Sequence, residues 1–224
     1  MCARYALFGL DEAADFFVAE GLRSLDRLYN IAPTDEVPAI KKTSDGKRRL
    51  EMFRWGLVPG WAKDPDIGTR LINARAETLA EKPSFRNALK RRRCIVPATG
   101  FFEWTGKPGS KQPWFISRRD GKPLAFAGLW EYWEGPAGAL QTSTIVTREP
   151  NAFMKQFHNR MPAMLLDPEL SAWLEPETPA SAALKMLKPV PDHLLQAVPV
   201  DPRMSNPGWK EPEAVAARGE THTS

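Results

Sequence analysis

Along the 224-residue chain, apolar positions switch repeatedly between the two-residue period of a half-buried strand and the 3.6-residue period of a helix. Residues 11–20 (DEAADFFVAE) gather their apolar positions on one helical face. Residues 83–90 predict a second helix, entered through Pro83 and Ser84, and residues 167–174 and 180–187 predict two more. Strands are predicted over 48–57, 93–98, 101–104, 113–117, 124–130 and the β-branched run 142–147 (TSTIVT). Past about Pro212 the chain turns polar, which predicts a frayed end to a single domain spanning 1–224. Short strands, interspersed helices and frequent turns, without regular strand–helix alternation, predict an α+β fold. Its sheet should be mainly antiparallel and curled into a barrel, with peripheral helices.

Composition narrows the class. Apolar residues make up 42% of the chain and charged residues 26%, ordinary for a globular protein. The 21 prolines are scattered at about twice the usual share, so they mark turns rather than one linker. No apolar run approaches the roughly 18 residues of a membrane span, and no signal peptide is visible, so a cytoplasmic protein is expected. Two cysteines in a reducing compartment predict no structural disulfide. With only three histidines and no ligand spacing, no metal is expected. GxGxxG and GxxxxGK[ST] are both absent, and no cofactor is expected. The net charge of +4 says little by itself, but its distribution says more. Residues 82–93 (KPSFRNALKRRR) carry six basic and no acidic side chains, and KKTSDGKRR forms a second cluster at 41–49. With eight tryptophans and a pI of 9.1, these runs suggest a polyanionic partner.

Reactive groups gather in four places: at Cys2; at Asn73 and Arg75 in LINARAET; at Glu103 in VPATGFFEWTG; and at His158 and Arg160 in FHNRMP. A carboxylate held among aromatics is desolvated, and its pKa rises toward the range of general acid–base work. Strand alternation alone would instead send Glu103 to solvent, with Phe102 and Trp104 pointing inward. By itself His158 reads more readily as a surface or loop histidine, and Asn73 and Arg75 read also as residues that cap and pair at a strand-to-helix turn. Cys94, beside Ile95 and Val96, reads as a buried, inert thiol.

Seven segments, MCARY, YNIAPT, WGLVPGWAKD, INARAET, RRCIVPATGFFEW, FAGLWE and HNRMP, occur in this order over about residues 2–210. In order and separation they resemble the SOS response-associated peptidase (SRAP) family, whose members are abasic-site-processing proteins. The resemblance implies an SRAP-like barrel and loss of Met1. Cys2 would then form a covalent thiazolidine with the aldehyde of an abasic site in single-stranded DNA, a lyase-like crosslinking activity that shields the lesion during repair. The residue types suit that reaction. An α-amine with a pKa of about 8 is partly unprotonated at neutral pH and can form an imine. A thiol of pKa about 8.5 on the next carbon can then close a five-membered ring intramolecularly.

Carried over position by position, the resemblance makes Asn73, Glu103 and His158 the active-site polar residues. Asn73 would orient the Cys2 amine or the sugar, Glu103 would move protons and stabilise the iminium, and His158 would help open the sugar ring. Arg4, Arg75 and Arg160 would hold flanking phosphates, with Thr147 adding a hydroxyl contact. Trp104, Trp61 and Pro33 would offer stacking surfaces, the last two as a wedge between bases. Ala62 stands where some relatives carry a second aromatic, which leaves Trp61 open as a core residue. Ala3, Phe102 and Asn159 replace a usual glycine, tyrosine and aspartate. The implied partner is single-stranded DNA with abasic sites, bound by a monomer that is nucleoid-associated when on DNA. Two rival functions remain: an N-terminal-nucleophile peptidase acting on its own leader or on proteins, and a non-covalent single-stranded DNA-binding module.

Overall fold

A computed structural model describes residues 2–136 and 138–223. Among the described residues there are thirteen strands: β1 (Tyr5–Leu7), β2 (Leu28–Ile31), β3 (Glu36–Lys42), β4 (Arg48–Trp55), β5 (Asn73–Arg75), β6 (Arg93–Ala98), β7 (Gly100–Thr105), β8 (Gln112–Arg118), β9 (Leu124–Gly135), β10 (Gly138–Arg148), β11 (Met161–Pro162), β12 (Leu195–Pro199) and β13 (His222–Thr223). Among the described residues four α-helices, α1 (Leu10–Phe17), α2 (Arg86–Arg91), α3 (Glu169–Leu174) and α4 (Ala180–Met186), and several 3-10 turns lie around them.

The architecture is α+β and built on a closed barrel. The β3–β4 hairpin joins β6 through β3, β6 pairs with β9, and β9 pairs with β10, all antiparallel. Strand β10 then returns to β4 in parallel and closes five strands, leaving no open edge in the ring. Strands β5 and β11 extend β10 beyond the ring. A second sheet, in the order β13-β12-β8-β7-β1-β2, stands beside the barrel. Trp55, Phe53, Ile40, Ile95, Phe126 and Ile145 fill the main core, and Trp173 of α3 packs against it.

A smaller cluster on the other face of the second sheet holds Ala6, Phe102, Phe115, Met204 and Ala214. It corrects two sequence expectations. The polar end does not fray: residues 212–215 form a 3-10 turn that buries Ala214, and β13 pairs with β12. Nor does alternation send Glu103 to solvent. With Phe102 taken by the smaller cluster and Phe101 by the main core, β7 is covered on both faces, and Glu103 is only 3% exposed. Gly100 lets β7 lie this close to β8, because a Cβ there would meet the Phe115 ring at 2.4 Å and the Ile116 carbonyl oxygen at 2.6 Å.

The basic run at 82–93 splits into structural and exposed halves. Arg93 is buried and donates to the carbonyls of Leu89, Trp173, Glu175 and Thr178, while Arg92 pairs with Glu131 at 2.7 Å. Lys82, Arg86, Lys90 and Arg91 face outward. Among the described residues no helix is long and apolar enough to cross a membrane.

Candidate active site

The site begins where β1 meets β7. Tyr5 and Ala6 pair with Phe101 and Gly100, and the Phe102 N–H donates to the Arg4 carbonyl at 3.0 Å. Continued by two residues, this register sets Glu103 level with Ala3 and beside Cys2. Cys2 is fully buried, its Sγ 3.9 Å from the Arg4 carbonyl oxygen. Burial pushes its thiol pKa well up, and the nearby Glu103 carboxylate adds to the rise. Cys94, also buried and free, is pushed up by burial too, the inert thiol its surroundings predict.

Strand β5 supplies the next group. It lies parallel to β10, with Asn73 opposite Ile145, and Asn73 Nδ2 donates to the Cys2 carbonyl at 2.8 Å. Asn73 Oδ1 is buried and accepts no hydrogen bond among the described residues. A buried acceptor without a donor is costly in isolation, so this oxygen suits an incoming hydroxyl or amine.

Glu103 and His158 complete the constellation. Burial raises the Glu103 carboxyl to about 7, against the pull of nearby positive charge that includes Lys111. At neutral pH the group is both acid and base. His158 follows the 154–156 turn and donates its N–H to the Met154 carbonyl at 2.9 Å. Its Nδ1 accepts the Arg160 N–H at 2.9 Å, so the neutral ring carries its proton on Nε2. Burial lowers its pKa, which favours that neutral form. Glu103 and His158 line a cleft of about 580 Å³ with Trp104, Lys111, Pro202 and Ser205. A larger cleft of about 810 Å³ lies by α1 and residues 46–48, but its Arg23, Lys47 and Arg48 are each held by carboxylates, a hydroxyl or a carbonyl.

The remaining sequence candidates divide by what their side chains already hold. Arg75 is exposed at the end of β5. The Arg4 guanidinium donates to Asn30 Oδ1 at 2.8 Å and to the Met204 and Ser205 carbonyls at 3.0 Å, stapling the C-terminal segment beside the cleft. Arg160 forks onto both Glu77 carboxylate oxygens at 2.9 Å and reaches the Thr147 carbonyl at 2.8 Å, while Thr147 itself is buried in β10. Trp61 is no core residue; it is 59% exposed. Pro33 is half-buried, and half-buried Trp104 donates from Nε1 to Ser205 Oγ at 2.9 Å. Lys111, Ser205 and Glu77 are site features that sequence reading missed. Only Lys111 left a signal, as a cation at the mouth of the hairpin joining β7 to β8. Among the described residues, no three His, Cys, Asp or Glu side chains converge to hold a metal.

Comparison with known proteins bears on this arrangement. The family profile described as SOS response associated peptidase (SRAP) matches residues 1–207. The chain belongs to the SRAP family. Among SRAP relatives, the abasic site processing protein YoqW of Bacillus subtilis (strain 168) is 40% identical over 225 residues, covering 96% of this chain and 99% of its own. The abasic site processing protein YoaM of the same organism is 42% identical over 194 residues, covering 84% and 85%. The abasic site processing protein HMCES of Xenopus tropicalis is 31% identical over 221 residues, covering 84% of this chain and 65% of its own. The barrel also matches a crystal structure from Bacteroides thetaiotaomicron with a TM-score of 0.86 at 27% identity, over 96% of this chain and 99% of that one.

Proposed function

We propose that this SRAP protein captures abasic sites in single-stranded DNA as a thiazolidine formed on Cys2. The observation that carries the reading is the meeting of Cys2, Asn73 and Glu103 at the β1–β7 junction, with a carboxyl raised to about 7 beside the cysteine that becomes first in the chain when Met1 is lost. Met1 itself lies outside the described residues. Relatives named abasic site processing proteins at 31–43% identity support the same reading.

The chemistry then runs on this chain's own residues. The ring-opened abasic sugar presents an aldehyde, and the freed Cys2 amine adds to it. The resulting carbinolamine loses water with a proton from protonated Glu103, leaving an iminium ion, and the neutral His158 ring offers its Nε2–H as a hydrogen-bond donor to the departing oxygen. Burial keeps the Cys2 thiol protonated, so ring closure requires a base, and ionised Glu103 accepts that proton as sulfur adds to the iminium carbon. The balance is one aldehyde and one cysteine in, one ring and one water out. Asn73 holds the Cys2 carbonyl and offers Oδ1 to the amine or the sugar.

Outside the ring-forming groups, Arg75 and Lys111 supply positive charge for phosphates, and Trp61 and Trp104 supply stacking surface. Arg4 works one step back, by holding the 204–205 segment against the cleft. Arg160 reaches a phosphate only by exchanging it for Glu77. The test is a denaturing gel of the Met1-processed protein with an abasic oligonucleotide. A slow-migrating band in wild type that is absent in Cys2→Ala is expected, and equal bands in both would overturn the proposal.

A further inference from the structure

One imidazole from the far end of the chain sits among aromatic rings that adjoin both halves of the cleft. His222 stacks on Phe153 with ring centres 5.7 Å apart and planes at 26°. It meets Phe157 at 5.7 Å and Trp114 at 6.3 Å, both edge-on. Its Nε2 lies 3.0 Å from Gln156 Oε1. Strand β13 puts it there by pairing His222 with Ala197 of β12.

Two of those rings are next to site residues. Trp114 is the partner of Glu103 across the β7–β8 ladder, and its Nε1 donates to Thr105 Oγ1 at 2.9 Å. Phe157 directly precedes His158. The turn that carries them is short: the Met154 carbonyl accepts the N–H of both Phe157 and His158 at 2.9 Å, and Asn151 Oδ1 accepts the Met154 N–H at 2.9 Å. The inner side of the turn is anchored: Asp192 Oδ1 accepts the Phe153 N–H at 3.1 Å, the Asn151 carbonyl accepts the Lys155 N–H at 3.0 Å, and Phe153 and Met154 are buried in the main core. Its outer side, at Gln156 and the open edge of Phe157, takes its place from what packs against it. Here that is a wedge of three rings and one hydrogen bond centred on His222. Of its members only His222 lies beyond residue 207, where the family match ends.

We infer that His222 is a positioning residue: clamped between Trp114 and the 153–157 turn, it fixes His158 relative to Glu103 across the cleft. What the positioned pair does rests on the crosslinking function proposed above, whereas the positioning itself does not. Misplacement of a catalytic group by about an ångström is enough to slow a reaction about a hundredfold. A ring that only sealed an apolar patch would affect stability and leave the chemistry of His158 alone.

Three variants separate these roles: His222→Ala, a chain ending at Glu220, and His222→Phe, which keeps a ring in the wedge. The measurements are the NMR titration of the His158 imidazole and the rate of adduct formation with an abasic oligonucleotide. In the first two variants the His158 titration should move up toward the ordinary histidine value as its turn loosens and admits water. The adduct rate should fall at least about tenfold, with affinity for an undamaged oligonucleotide unchanged, and His222→Phe should restore both. An unchanged His158 titration or an adduct rate within twofold of wild type in His222→Ala overturns the inference, as does failure of His222→Phe to restore them. If wild type forms no adduct while the titration still moves in His222→Ala and returns in His222→Phe, the crosslinking function fails and the positioning stands.

Discussion

Asn73 Nδ2 lies 2.8 Å from the carbonyl oxygen of Cys2, and this hydrogen bond ties the short strand β5 to the residue that carries both proposed nucleophiles. Asn73→Ala removes the bond and the buried Oδ1 together. A hydrogen bond of this kind contributes about 1 kcal/mol net, so the expected outcome is a crosslinking rate lower by about fivefold and a melting temperature lower by no more than about 2–4 °C. Single-turnover kinetics on an abasic oligonucleotide, with a thermal melt beside it, check both parts.

Glu103 ties the proposed chemistry to stability through pH. Its carboxyl is raised from 4.5 to about 7 by burial, so between those values the folded chain binds a proton more tightly than the unfolded one. The site's contribution to stability is therefore fully present below about pH 4.5 and lost as pH rises through 7, a change on the order of 3 kcal/mol. Glu103→Gln carries no such penalty. It should melt above wild type at pH 8, converge with it near pH 4.5, and crosslink at least about a hundredfold more slowly. Melting curves across that range and rates at pH 7 test the pair of effects.

Arg160 is held by Glu77 through both guanidinium arms, which leaves its fork engaged before any nucleic acid arrives. Glu77→Gln weakens that hold and frees positive charge beside the site. Affinity for an undamaged single strand should rise several-fold, and the slope of log affinity against log salt should steepen by about 0.7, the signature of one added phosphate contact. Fluorescence anisotropy at several salt concentrations reads both quantities.

Trp61, 59% exposed on the loop between β4 and β5, has too little burial to matter for folding. Trp61→Ala should weaken single-strand binding by about 1–3 kcal/mol, the range of a lost base stack, while stability stays within about 0.5 kcal/mol. Binding titrations and denaturant melts of the variant separate the two.

How far these features were legible in the sequence follows from how local their causes are. Helices at 83–90, 167–174 and 180–187 and strands at 93–98 and 142–147 depend on neighbouring residues, and each has its counterpart in α2, α3, α4, β6 and β10. Strand β3 was missed because Pro38 interrupts it, and β1 and β5 because three residues carry too little pattern to read. The burial of Glu103 escapes alternation because β7 is covered on both faces: Phe102 packs with Met204 and Ala214, from about a hundred positions later, while Phe101 and Glu103 face the main core that holds Cys2. The grip of Arg4 on residues 204–205 and the wedge of His222 are hidden for the same reason. Glu103, His158 and Asn73 each read as well or better as structural residues when taken alone, and only the resemblance of whole segments to the SRAP family joins them to Cys2; the contact between Asn73 and Cys2 is visible in the fold alone.

The most direct test of covalent capture is intact-mass spectrometry of the Met1-processed protein mixed with an oligonucleotide bearing one abasic site, with no reducing agent present. Cys2→Ser, which keeps the amine and loses the thiol, runs beside it. The predicted result is a denaturation-resistant species at the summed mass less one water in wild type, with Cys2→Ser giving an adduct only after borohydride trapping. A wild-type protein with confirmed free Cys2 that yields no such species, or a Cys2→Ser adduct equally stable without trapping, contradicts the thiazolidine account.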